Sequence, residues 1–531
     1  MSEECPRGDL EFGTIPGMVE RCAATYGDAL AVVDGDVRIS FVDFAARVEQ
    51  AARAYMAAGV EKGDRVAIWA PNMWEWMVVA VGAHAAGAVV VPVNTRYKGI
   101  EAAFLLKKSG AKVLLTVSGF LGNDYVALLA SAGEDLPALT KTVILRGDVS
   151  AGSESLATFL AGAERVSEAD AAARRAELSP DDIADVLFTS GTTGEPKGAM
   201  CSHAQDLRTF RAWSYIAGLR PGDRYLVVMP FFHSFGYKAG WLSALMNGCT
   251  TYPEPVFSVD VVLERTQKDG ITVLPGPPAL YQSILMHPKR ADYDISSLRL
   301  AVTGAASIPV ELIERMRDEL RFDTVITAYG LTESCGCVTM CRQGDSPETI
   351  AQTSGRAMPD VEVRIVDADN QPVPVNEPGE IVLRGYNVMV GYLDAEEQTR
   401  EAIDADGWLH TGDVGTLDEQ GNIRITDRMK DMFIVGGFNA YPAEIENTLL
   451  RMPGVGEVAV IGVPDERLGE VGMAFVVLAP GASVTPEQIL AWSRDNMANF
   501  KVPRSAKVVD ALPRNPTGKV QKFKLRESLD V

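Results

Sequence analysis

A glycine-rich loop placed directly after a buried strand constrains this chain most. The apolar run at 186–188 is followed at 189–198 by Thr-Ser-Gly-Thr-Thr-Gly-Glu-Pro-Lys-Gly, with three glycines, four hydroxyl side chains and one lysine. Glycines let backbone N–H groups approach a ligand closely, hydroxyls add donors and the lysine adds charge, so the loop suits a polyphosphate. It is not a Walker A loop, because Lys197 is followed by Gly198 and not by a hydroxyl residue. The sequence therefore predicts nucleotide binding by another fold.

The overall composition indicates a large globular protein that binds neither nucleic acid nor anionic membranes. At 531 residues the chain is too long for one core, so two or three domains are expected. A net charge of −21 argues against binding to nucleic acid or to an anionic membrane surface. The chain starts with polar and acidic residues, and its longest apolar stretch, 77–93, is interrupted, so a buried helix followed by a strand is expected and no membrane insertion. Seven scattered cysteines fit a reducing cytoplasm.

The order of patterns along the chain predicts its domains. From about 180 to 330, short β-rich runs alternate with helix-length segments, which predicts parallel α/β layers with ligands outside the carboxyl ends of the strands. From about 355 to 425, glycines punctuate short alternating runs, as in a small antiparallel sheet or barrel. We predict an α/β fold with an N-terminal domain over 1–427, which includes this β-barrel-like subdomain, and a small mobile α+β domain over 428–531. Individual elements are expected as strands at 226–229, 271–274, 300–303 and 325–328, and as helices at 310–320, 442–452, 486–499 and, on the surface, the alanine-rich 157–176.

Three cysteines lie close together in the sequence, and a metal site is one interpretation of them. Cys335, Cys337 and Cys341 follow no common zinc spacing, and no histidine lies near them. Packing in the core is therefore the favoured interpretation.

Seven further motifs follow the glycine-rich loop. They are Pro-Phe-Phe-His-Ser at 230–234, Gly-Ala-Ala at 304–306, Tyr-Gly-Leu-Thr-Glu at 329–333, Trp-Leu-His-Thr-Gly-Asp at 408–413, Arg-Met-Lys-Asp at 428–431, Gly-Gly-Phe-Asn at 436–439 and Pro-Thr-Gly-Lys at 516–519. In order and spacing they resemble the adenylate-forming superfamily of acyl-CoA synthetases, peptide-synthetase adenylation domains and firefly-type luciferases. The resemblance covers nearly the whole chain. It implies that a carboxylate attacks the α-phosphorus of ATP, and that a thiol, usually of coenzyme A, then displaces AMP.

The resemblance implies a role for each nucleotide-binding motif. Thr332 would reach the α-phosphate and Glu333 would ligate Mg²⁺, which needs oxygen donors. Asp413 would bind the ribose hydroxyls, and Arg428 would contact the ribose or a phosphate. Helix capping, a turn aspartate and a surface arginine are the structural alternatives for these residues. The β- and γ-phosphates would be held by Thr189, Ser190, Gly191, Thr192, Thr193 and Lys197, and the remaining nucleotide site would include Gly304, Ala305, Tyr329 beside the adenine, and Gly330.

The C-terminal motifs resemble those of the mobile C-terminal domain in this family. Lys519 would bridge the substrate carboxylate and the α-phosphate, because an ammonium offsets the repulsion between two anions. Lys430 resembles the family hinge, about which the C-terminal domain would swing to present Gly436 and Gly437 to the pantetheine arm. Eight basic residues between 501 and 526 are a plausible docking surface for phosphates, with a solubilising surface as the alternative. His233 would line the acid pocket and gate the thiol tunnel; a buried structural histidine is the alternative.

The pocket segments favour an apolar acid and a free-standing ligase. The Phe-Phe-His sequence lacks the aspartate of amino-acid-activating relatives, and no carrier-protein segment follows Lys519, which favours coenzyme A as a diffusible thiol. The segments are rich in aromatic and small residues, with Lys238 as a charged exception read as facing solvent. They resemble actinobacterial ligases that activate an indane-propanoate fragment of steroids, or related terpenoid-acid ligases. Medium-chain or aryl acids, an inactive nucleotide-binding regulator and a luciferase-like oxygenase are the alternatives, and a homodimer is possible.

Overall fold

The computed structural model describes residues 5–190, 195–304, 308–428, 432–479, 481–513 and 520–529. Its α-helices are α1 (Gly8–Phe12), α2 (Ile15–Tyr26), α3 (Phe41–Ala57), α4 (Trp74–Ala85), α5 (Gly99–Ser109), α6 (Tyr125–Ser131), α7 (Leu156–Ala161), α8 (Glu168–Ala176), α9 (His203–Ala217), α10 (Ser234–Gly236), α11 (Ser243–Met246), α12 (Val259–Asp269), α13 (Pro278–Leu285), α14 (Val310–Asp318), α15 (Pro347–Gln352), α16 (Glu396–Ala402), α17 (Pro442–Leu449), α18 (Pro486–Asn496) and α19 (Lys522–Glu527). Short 3₁₀ turns occur at Phe120–Gly122, Gly162–Arg165, Arg290–Asp292 and Thr332–Ser334, and a π-helix at Tyr237–Leu242.

The β-strands divide between two large sheets, a small antiparallel sheet and a C-terminal sheet. In chain order they are β1 (Leu30–Asp34), β2 (Val37–Ser40), β3 (Arg65–Trp69), β4 (Val89–Pro92), β5 (Val113–Thr116), β6 (Lys141–Ile144), β7 (Glu154–Ser155), β8 (Ile183–Ser190), β9 (Pro196–Ser202), β10 (Arg224–Val227), β11 (Thr250–Pro253), β12 (Leu300–Gly304), β13 (Thr324–Tyr329), β14 (Thr339–Met340), β15 (Arg356–Ala357), β16 (Val361–Val366), β17 (Gly379–Gly385), β18 (Gly391–Tyr392), β19 (Leu409–Leu417), β20 (Ile423–Arg428), β21 (Phe433–Val435), β22 (Phe438–Ala440), β23 (Val455–Asp465), β24 (Gly469–Leu478) and β25 (Ser505–Val508).

The first large sheet carries the glycine-rich loop at one side. Its order is β18-β9-β8-β4-β3-β5-β6-β7, parallel from β8 to β7, with β9 and β18 added antiparallel. The apolar strands β4 and β5 are buried along their whole length, as expected for a sheet covered by helices on both faces. The predicted buried helix and strand at 77–93 are confirmed as α4 and β4.

The second large sheet places the carboxyl ends of β12 and β13 beside each other. These two strands pair in parallel from Leu300 with Thr324 to Gly304 with Ala328. The strand predicted at 271–274 is reduced to isolated parallel bridges at Val273, which joins Tyr225 on one side and Leu300 on the other. That single residue connects the β10-β11-β1-β2 group with the β12-β13-β14-β15 group.

The predicted surface helix over 157–176 is wrong in its continuity. The segment holds two helices, α7 and α8, with a 3₁₀ turn at Gly162–Arg165 between them. Ser167 starts the second helix because its hydroxyl accepts the backbone N–H of Asp170. This serine N-cap favours a new helix start over continuation of the first. The other predicted helices at 310–320, 442–452 and 486–499 are present as α14, α17 and α18.

The C-terminal sheet presents a different core on each of its faces. Along β24, Val471, Ala474 and Val476 pack with the cluster that contains Phe433 and Leu449, whereas Phe475 packs with the opposite cluster. Val460 and its neighbours on β23 divide in the same way. The large domain has a separate core, which extends along the chain from Ile15 to Ile423. The antiparallel sheet predicted near 355–425 is present as β16-β17-β19-β20, and its Ile381, Leu383 and Leu409 belong to the core of the large domain.

Candidate active site

Glu333 is the point where three separated segments of the chain meet. Its Oε1 accepts a hydrogen bond of 2.8 Å from the Tyr392 hydroxyl and one of 3.3 Å from Thr189 Oγ1. The Lys197 ammonium lies 5.2 Å from the centre of the Tyr392 ring. The arrangement therefore gathers a carboxylate, two hydroxyls and a cation in one polar site. Oxygen donors of this kind suit a hard divalent cation, and the ammonium suits a phosphate.

The glycine-rich loop is held at both ends by the hairpin of β8 and β9. Thr189 pairs with Lys197 across the antiparallel ladder, and Ser190 pairs with Pro196. Gly198 lies against the neighbouring strand, since a Cβ at this position would come within 2.5 Å of Val186 Cγ1. The hairpin thus places the hydroxyl at the start of the loop opposite the lysine at its end.

A tight turn after β13 sets the position of Glu333. Gly330 is required there because a Cβ would come within 2.3 Å of the Gly336 carbonyl oxygen. The Ser334 hydroxyl accepts the backbone N–H of Leu331 at 2.9 Å, and the Glu333 carbonyl accepts the N–H of Met389 at 2.8 Å. Thr332 and Glu333 therefore begin the 3₁₀ turn at the carboxyl end of a parallel strand, where α/β proteins bind their ligands.

Tyr392 is a site residue that the sequence reasoning missed. It belongs to β18, which pairs with β9 through Tyr392 and Ala199. Burial raises the pKa of Tyr392, and the negative charge of Glu333 raises it further, so the hydroxyl stays protonated and donates to the carboxylate. A tyrosine after a glycine carries no local signal for this contact, because its partner is 59 residues away in sequence.

A second polar contact joins the large α/β sheet to the small antiparallel sheet. The Tyr329 hydroxyl donates to Asp413 Oδ2 at 2.7 Å, and both side chains are largely buried. Arg428 stands opposite Asp413 in the β19–β20 ladder. Gly304 ends the neighbouring parallel strand, and a Cβ there would come within 2.6 Å of the Ala328 carbonyl oxygen. The motifs predicted for adenine and ribose thus lie at one edge of the molecule's central sheets.

His233 opens toward solvent instead of packing in the core. It begins α10, where its Nδ1 accepts the backbone N–H of Phe235 at 3.2 Å, and its side chain is exposed. The imidazole is accessible to solvent but lies deep among protein atoms, and this burial lowers the pKa of His233 to about 4. Phe231, two residues earlier, is fully buried against Trp76, with ring centres 5.6 Å apart. The exposed histidine is thus anchored by a neighbouring buried aromatic residue.

An apolar cavity lies beside α10, at the carboxyl end of β10. It is too narrow to hold a water molecule, and its lining includes Val228, Met229, Phe235, Gly240 and Pro275. A bulky ligand therefore requires side chains at the mouth of this cavity to move.

The sequence expectation that Lys238 faces solvent is wrong. Only 1% of its side chain is exposed, and its ammonium lies 3.0 Å from Asp185 Oδ1 and 2.7 Å from Asp206 Oδ1. Burial and the neighbouring Asp206 raise the pKa of Asp185. Burial alone would lower the pKa of Lys238, but the two carboxylates outweigh it and raise that pKa. Lys238 is thus a buried cation that connects the π-helix to β8 and α9.

The cysteines at 335, 337 and 341 do not converge. Cys335 lies 3.2 Å from Cys201, whereas Cys341 contacts the Thr327 hydroxyl and Cys337 faces the Thr339 carbonyl. Within the described ranges, the one group with the proximity of metal ligands is Cys201, Asp206 and Cys335. The Lys238 ammonium already supplies a positive charge to this group, so packing and ion pairing account for it.

The C-terminal domain contacts the large domain through the β21–β22 hairpin. Gly436 and Gly437 form its turn with φ of +57° and +88°, a conformation that favours glycine. A Cβ at Gly437 would lie 3.9 Å from Pro277 of the large domain. The Arg96 guanidinium lies 5.1 Å from the centre of the Phe438 ring. Gly437 thus faces the large domain, close to the loop that contains Pro275 at the edge of the apolar cavity.

Several predicted site residues lie outside the described part of the chain. These are Gly191, Thr192, Thr193, Ala305, Lys430 and Lys519. For Ser190 and Arg428 the structure gives the strand position alone. The prediction of a basic surface between 501 and 526 is wrong for Lys501, because only 2% of its side chain is exposed.

Comparison with known proteins identifies relatives across nearly the whole chain. Residues 19–393 match the family model described as AMP-binding enzyme, and residues 444–519 match the AMP-binding enzyme C-terminal domain. A 7a-methyl-1,5-dioxo-octahydro-1H-inden-4-yl propanoyl:CoA ligase of Rhodococcus jostii is 51% identical over 97% of this chain and 98% of its own length. The ligase of the same name from Mycobacterium tuberculosis is 51% identical over 97% of this chain and 99% of its own length. Among solved structures, o-succinylbenzoate CoA synthetase from Bacillus subtilis, bound with a product analogue, superposes with a TM-score of 0.79 at 27% identity, covering 96% of this chain and 98% of the synthetase.

Proposed function

Because this chain belongs to the AMP-binding enzyme family and is an ATP-dependent acid–CoA ligase, we propose that its acid is a bulky alicyclic propanoate. ATP and coenzyme A are the co-substrates of such ligases. The convergence of Thr189, Lys197 and Tyr392 on Glu333 is the observation that carries the adenylating part of this proposal. Within the described ranges, no helix has the length and apolar character needed to cross a bilayer.

The identity of the acid rests on relatedness and on the chemistry of the cavity. Two relatives that share half of their residues with this chain are named for an indene-derived propanoate. The cavity beside α10 is lined by apolar residues, and Phe235 at its edge is only partly buried. The acid would enter with its rings toward this cavity, displace Phe235 and leave its carboxylate near His233.

In the first half-reaction, the acid's carboxylate attacks the α-phosphorus and pyrophosphate leaves. Thr189, Ser190, Thr192, Thr193 and Lys197 hold the β- and γ-phosphates together with the backbone of Gly191. The nucleoside lies against Gly304, Ala305, Tyr329, Gly330, Asp413 and Arg428. Thr332 donates to the α-phosphate, and Glu333 would hold Mg²⁺, which would supply positive charge to the phosphate oxygens. The Glu333 carboxylate, with the hydroxyl oxygens of Thr189 and Tyr392 beside it, fits that ion.

The second half-reaction uses the C-terminal domain in another orientation. Lys519 first bridges the two anions during adenylation and then withdraws. The domains extend over 1–427 and 428–531, with Lys430 as the hinge, and the separate cores that end at Ile423 and begin at Phe433 support this division. Gly436 and Gly437 then face the pantetheine arm, since their lack of side chains leaves room for it.

Location and assembly belong to the same proposal. The seven cysteines lack disulfide partners in the structure, which supports a reducing cytoplasm. A homodimer would be tested by light scattering of the purified protein, where the mass of one chain would contradict it.

A panel of acids tests the proposed reaction. The protein would be incubated with ATP, Mg²⁺ and one acid at a time. The acids are the octahydro-indene propanoate for which the two relatives are named, here called the indene propanoate, a medium-chain fatty acid and an aryl acid. We expect the highest kcat/KM of pyrophosphate release with the bicyclic acid, and a thioester only when coenzyme A is present. A preference for medium-chain acids would replace the proposed substrate. Pyrophosphate release without any thioester, or oxygen uptake, would contradict the assigned acceptor.

A further inference from the structure

A buried lysine links the C-terminal domain to the large domain. The Lys501 ammonium lies 2.7 Å from Glu101 Oε1 and also contacts Glu444. The Tyr97 ring centre is 4.4 Å from the same ammonium. Glu101 and Tyr97 belong to the large domain, whereas Lys501 and Glu444 belong to the C-terminal domain. Only 2% of the Lys501 side chain and 13% of the Glu101 side chain are exposed, so the pair is shielded from solvent.

We propose that Glu101 is a positioning residue for thioester formation. Its carboxylate holds Lys501 and thereby keeps the C-terminal domain in the orientation that puts the Gly436–Gly437 turn against the large domain. This inference rests on the proposed function, because it assigns one domain orientation to one half-reaction. In this role Glu101 does not touch the reacting atoms. It acts through the C-terminal domain, which is called the lid below.

The local structure prepares Glu101 for this contact. It occupies the third position of α5, where its Oε2 accepts the backbone N–H of Lys98 at 2.8 Å. This cap restrains the side chain and leaves Oε1 directed at Lys501. Tyr97, just before the helix, packs against the apolar core of the C-terminal domain. The large domain therefore offers a preformed carboxylate and an aromatic surface, so little side-chain entropy is lost when Lys501 docks.

The contact accompanies an orientation suited to the thiol step. The same docking places Gly437 next to Pro277 and Phe438 under the Arg96 guanidinium. The residues that flank 514–519, Leu512 and Val520, pack on the sheet face opposite to the one that Tyr97 contacts. Leu512 and Val520 therefore lie on the far side of the C-terminal sheet from this interface. We infer that adenylation requires the lid to leave Glu101.

Two carboxylates give Lys501 a partner in either orientation. Glu444 and Lys501 are in the same domain, so their pair persists when the lid turns, whereas the Glu101 contact exists only when the lid is docked. Burial by itself lowers the pKa of Lys501, but Glu101 and Glu444 outweigh it and raise that pKa, so the ammonium stays charged. An unpaired buried charge is costly, and Glu444 removes that cost when the lid departs. The Glu101 contact thus stabilises the docked orientation, and the persistent Glu444 pair keeps the free-energy cost of undocking low.

The two half-reactions, measured separately in the full-length protein, test this role. The variant is Glu101→Gln, whose amide oxygen preserves the helix cap while the charge is lost. One assay follows indene propanoate-dependent pyrophosphate release without coenzyme A, and the other follows thioester formation from supplied acyl-adenylate and coenzyme A. We expect the second rate to fall by about tenfold or more and the first to stay within about twofold, because a coupling of this kind is typically worth 5–150-fold.

A matched control removes a different carboxylate that pairs with the same helix. Lys107 of α5 pairs with Glu134 on the surface, and Glu134→Gln removes a carboxylate from that exposed pair. It should leave both half-reactions unchanged. Equal losses in both half-reactions for Glu101→Gln, or no loss in thioester formation, would overturn the positioning role. A wild-type protein that forms neither product from any acid in the panel would instead overturn the proposed function.

Discussion

Glu333 carries a carboxylate whose orientation depends on a tyrosine 59 residues further along the chain. The Tyr392 hydroxyl and Thr189 both donate to one oxygen of Glu333, so the carboxylate is held in place before any ligand arrives. Preorganised groups of this kind stabilise charge without the cost of reorientation during the reaction. At this scale, function depends on single hydrogen bonds between distant residues.

Removal of the Tyr392 hydroxyl should weaken adenylation. We expect Tyr392→Phe to lower acid-dependent pyrophosphate release by about tenfold and to raise the Mg²⁺ concentration needed for half-maximal rate, because a hydrogen bond to a charged group contributes about 1.5–3 kcal/mol. Tyr386→Phe is the matched control, since the Tyr386 hydroxyl is buried and has no hydrogen-bond partner in the described part of the chain. An unchanged Mg²⁺ dependence of Tyr392→Phe would contradict the role of the hydroxyl.

Replacement of Lys519 should separate the half-reactions in the opposite way from Glu101. We expect Lys519→Ala to reduce pyrophosphate release by about 100-fold or more and to leave thioester formation from supplied acyl-adenylate largely intact, because the ammonium offsets repulsion between two anions only in the first step. Lys507→Ala, at an exposed position of the same basic segment, serves as the control. Comparable losses in both steps would refute the assignment of Lys519.

At the scale of elements, the π-helix at Tyr237–Leu242 is tied to two neighbours by one lysine. Lys238 lies between Asp185 of β8, the strand that enters the glycine-rich loop, and Asp206 of α9. The aromatic residues Tyr237 and Trp241 of the same helix stack with ring centres 5.0 Å apart and pack against Trp76. A buried ion pair and an aromatic cluster therefore connect the wall of the apolar cavity to the hairpin that carries the glycine-rich loop.

Loss of Lys238 should destabilise the protein strongly. We expect Lys238→Met to lower the free energy of unfolding by about 3–5 kcal/mol, because two fully buried carboxylates would lose their cation. Addition of Asp185→Asn and Asp206→Asn should recover much of this loss. Denaturant unfolding of the single and triple variants provides the measurement. A single variant as stable as the wild type would show that the ion pairs do not contribute.

At the scale of the whole molecule, two buried histidines connect its layers. His84 of α4 lies with its ring 5.1 Å from that of His203 at the start of α9, and its Nε2 is 3.0 Å from the Tyr237 hydroxyl. Burial lowers the pKa of both histidines, to about 4 for His203, despite the nearby carboxylates of Asp206 and Asp182. Both rings are therefore neutral in the folded protein at neutral pH.

Acidification should destabilise the folded state through these two histidines. The unfolded chain binds protons at these histidines near their ordinary value of 6.5, whereas folded His203 does so only near 4. The free energy of unfolding should consequently fall as the pH drops from about 6.5 toward about 4, and should not change through this pair above that range. His203→Asn should flatten the slope between pH 6.5 and 5. Equal slopes for the two proteins in denaturant unfolding would contradict the assignment.

Several elements of the fold could be predicted from sequence because their causes are local. The helices at 310–320 and 442–452 and the strands at 300–303 and 325–328 appear with small shifts at their ends. The 271–274 run failed as a full strand, since only Val273 bridges its two neighbours. The 157–176 helix failed because Ser167 starts a second helix. The family resemblance and the acid–CoA ligase activity that it implied are confirmed, whereas the individual residue roles stay predictions.

The order of amino acids by itself determined which chemical groups this protein possesses and the periodic patterns that form its strands, helices and glycine turns. Only the tertiary structure decided that Tyr392 holds Glu333, that Lys238 is buried between two aspartates, and that Lys501 docks on Glu101. Propensities and turns depend on neighbours within a few residues, so they can be read along the chain. Desolvation and charge pairing depend on residues up to 400 positions apart, and these distances close only when the layers pack.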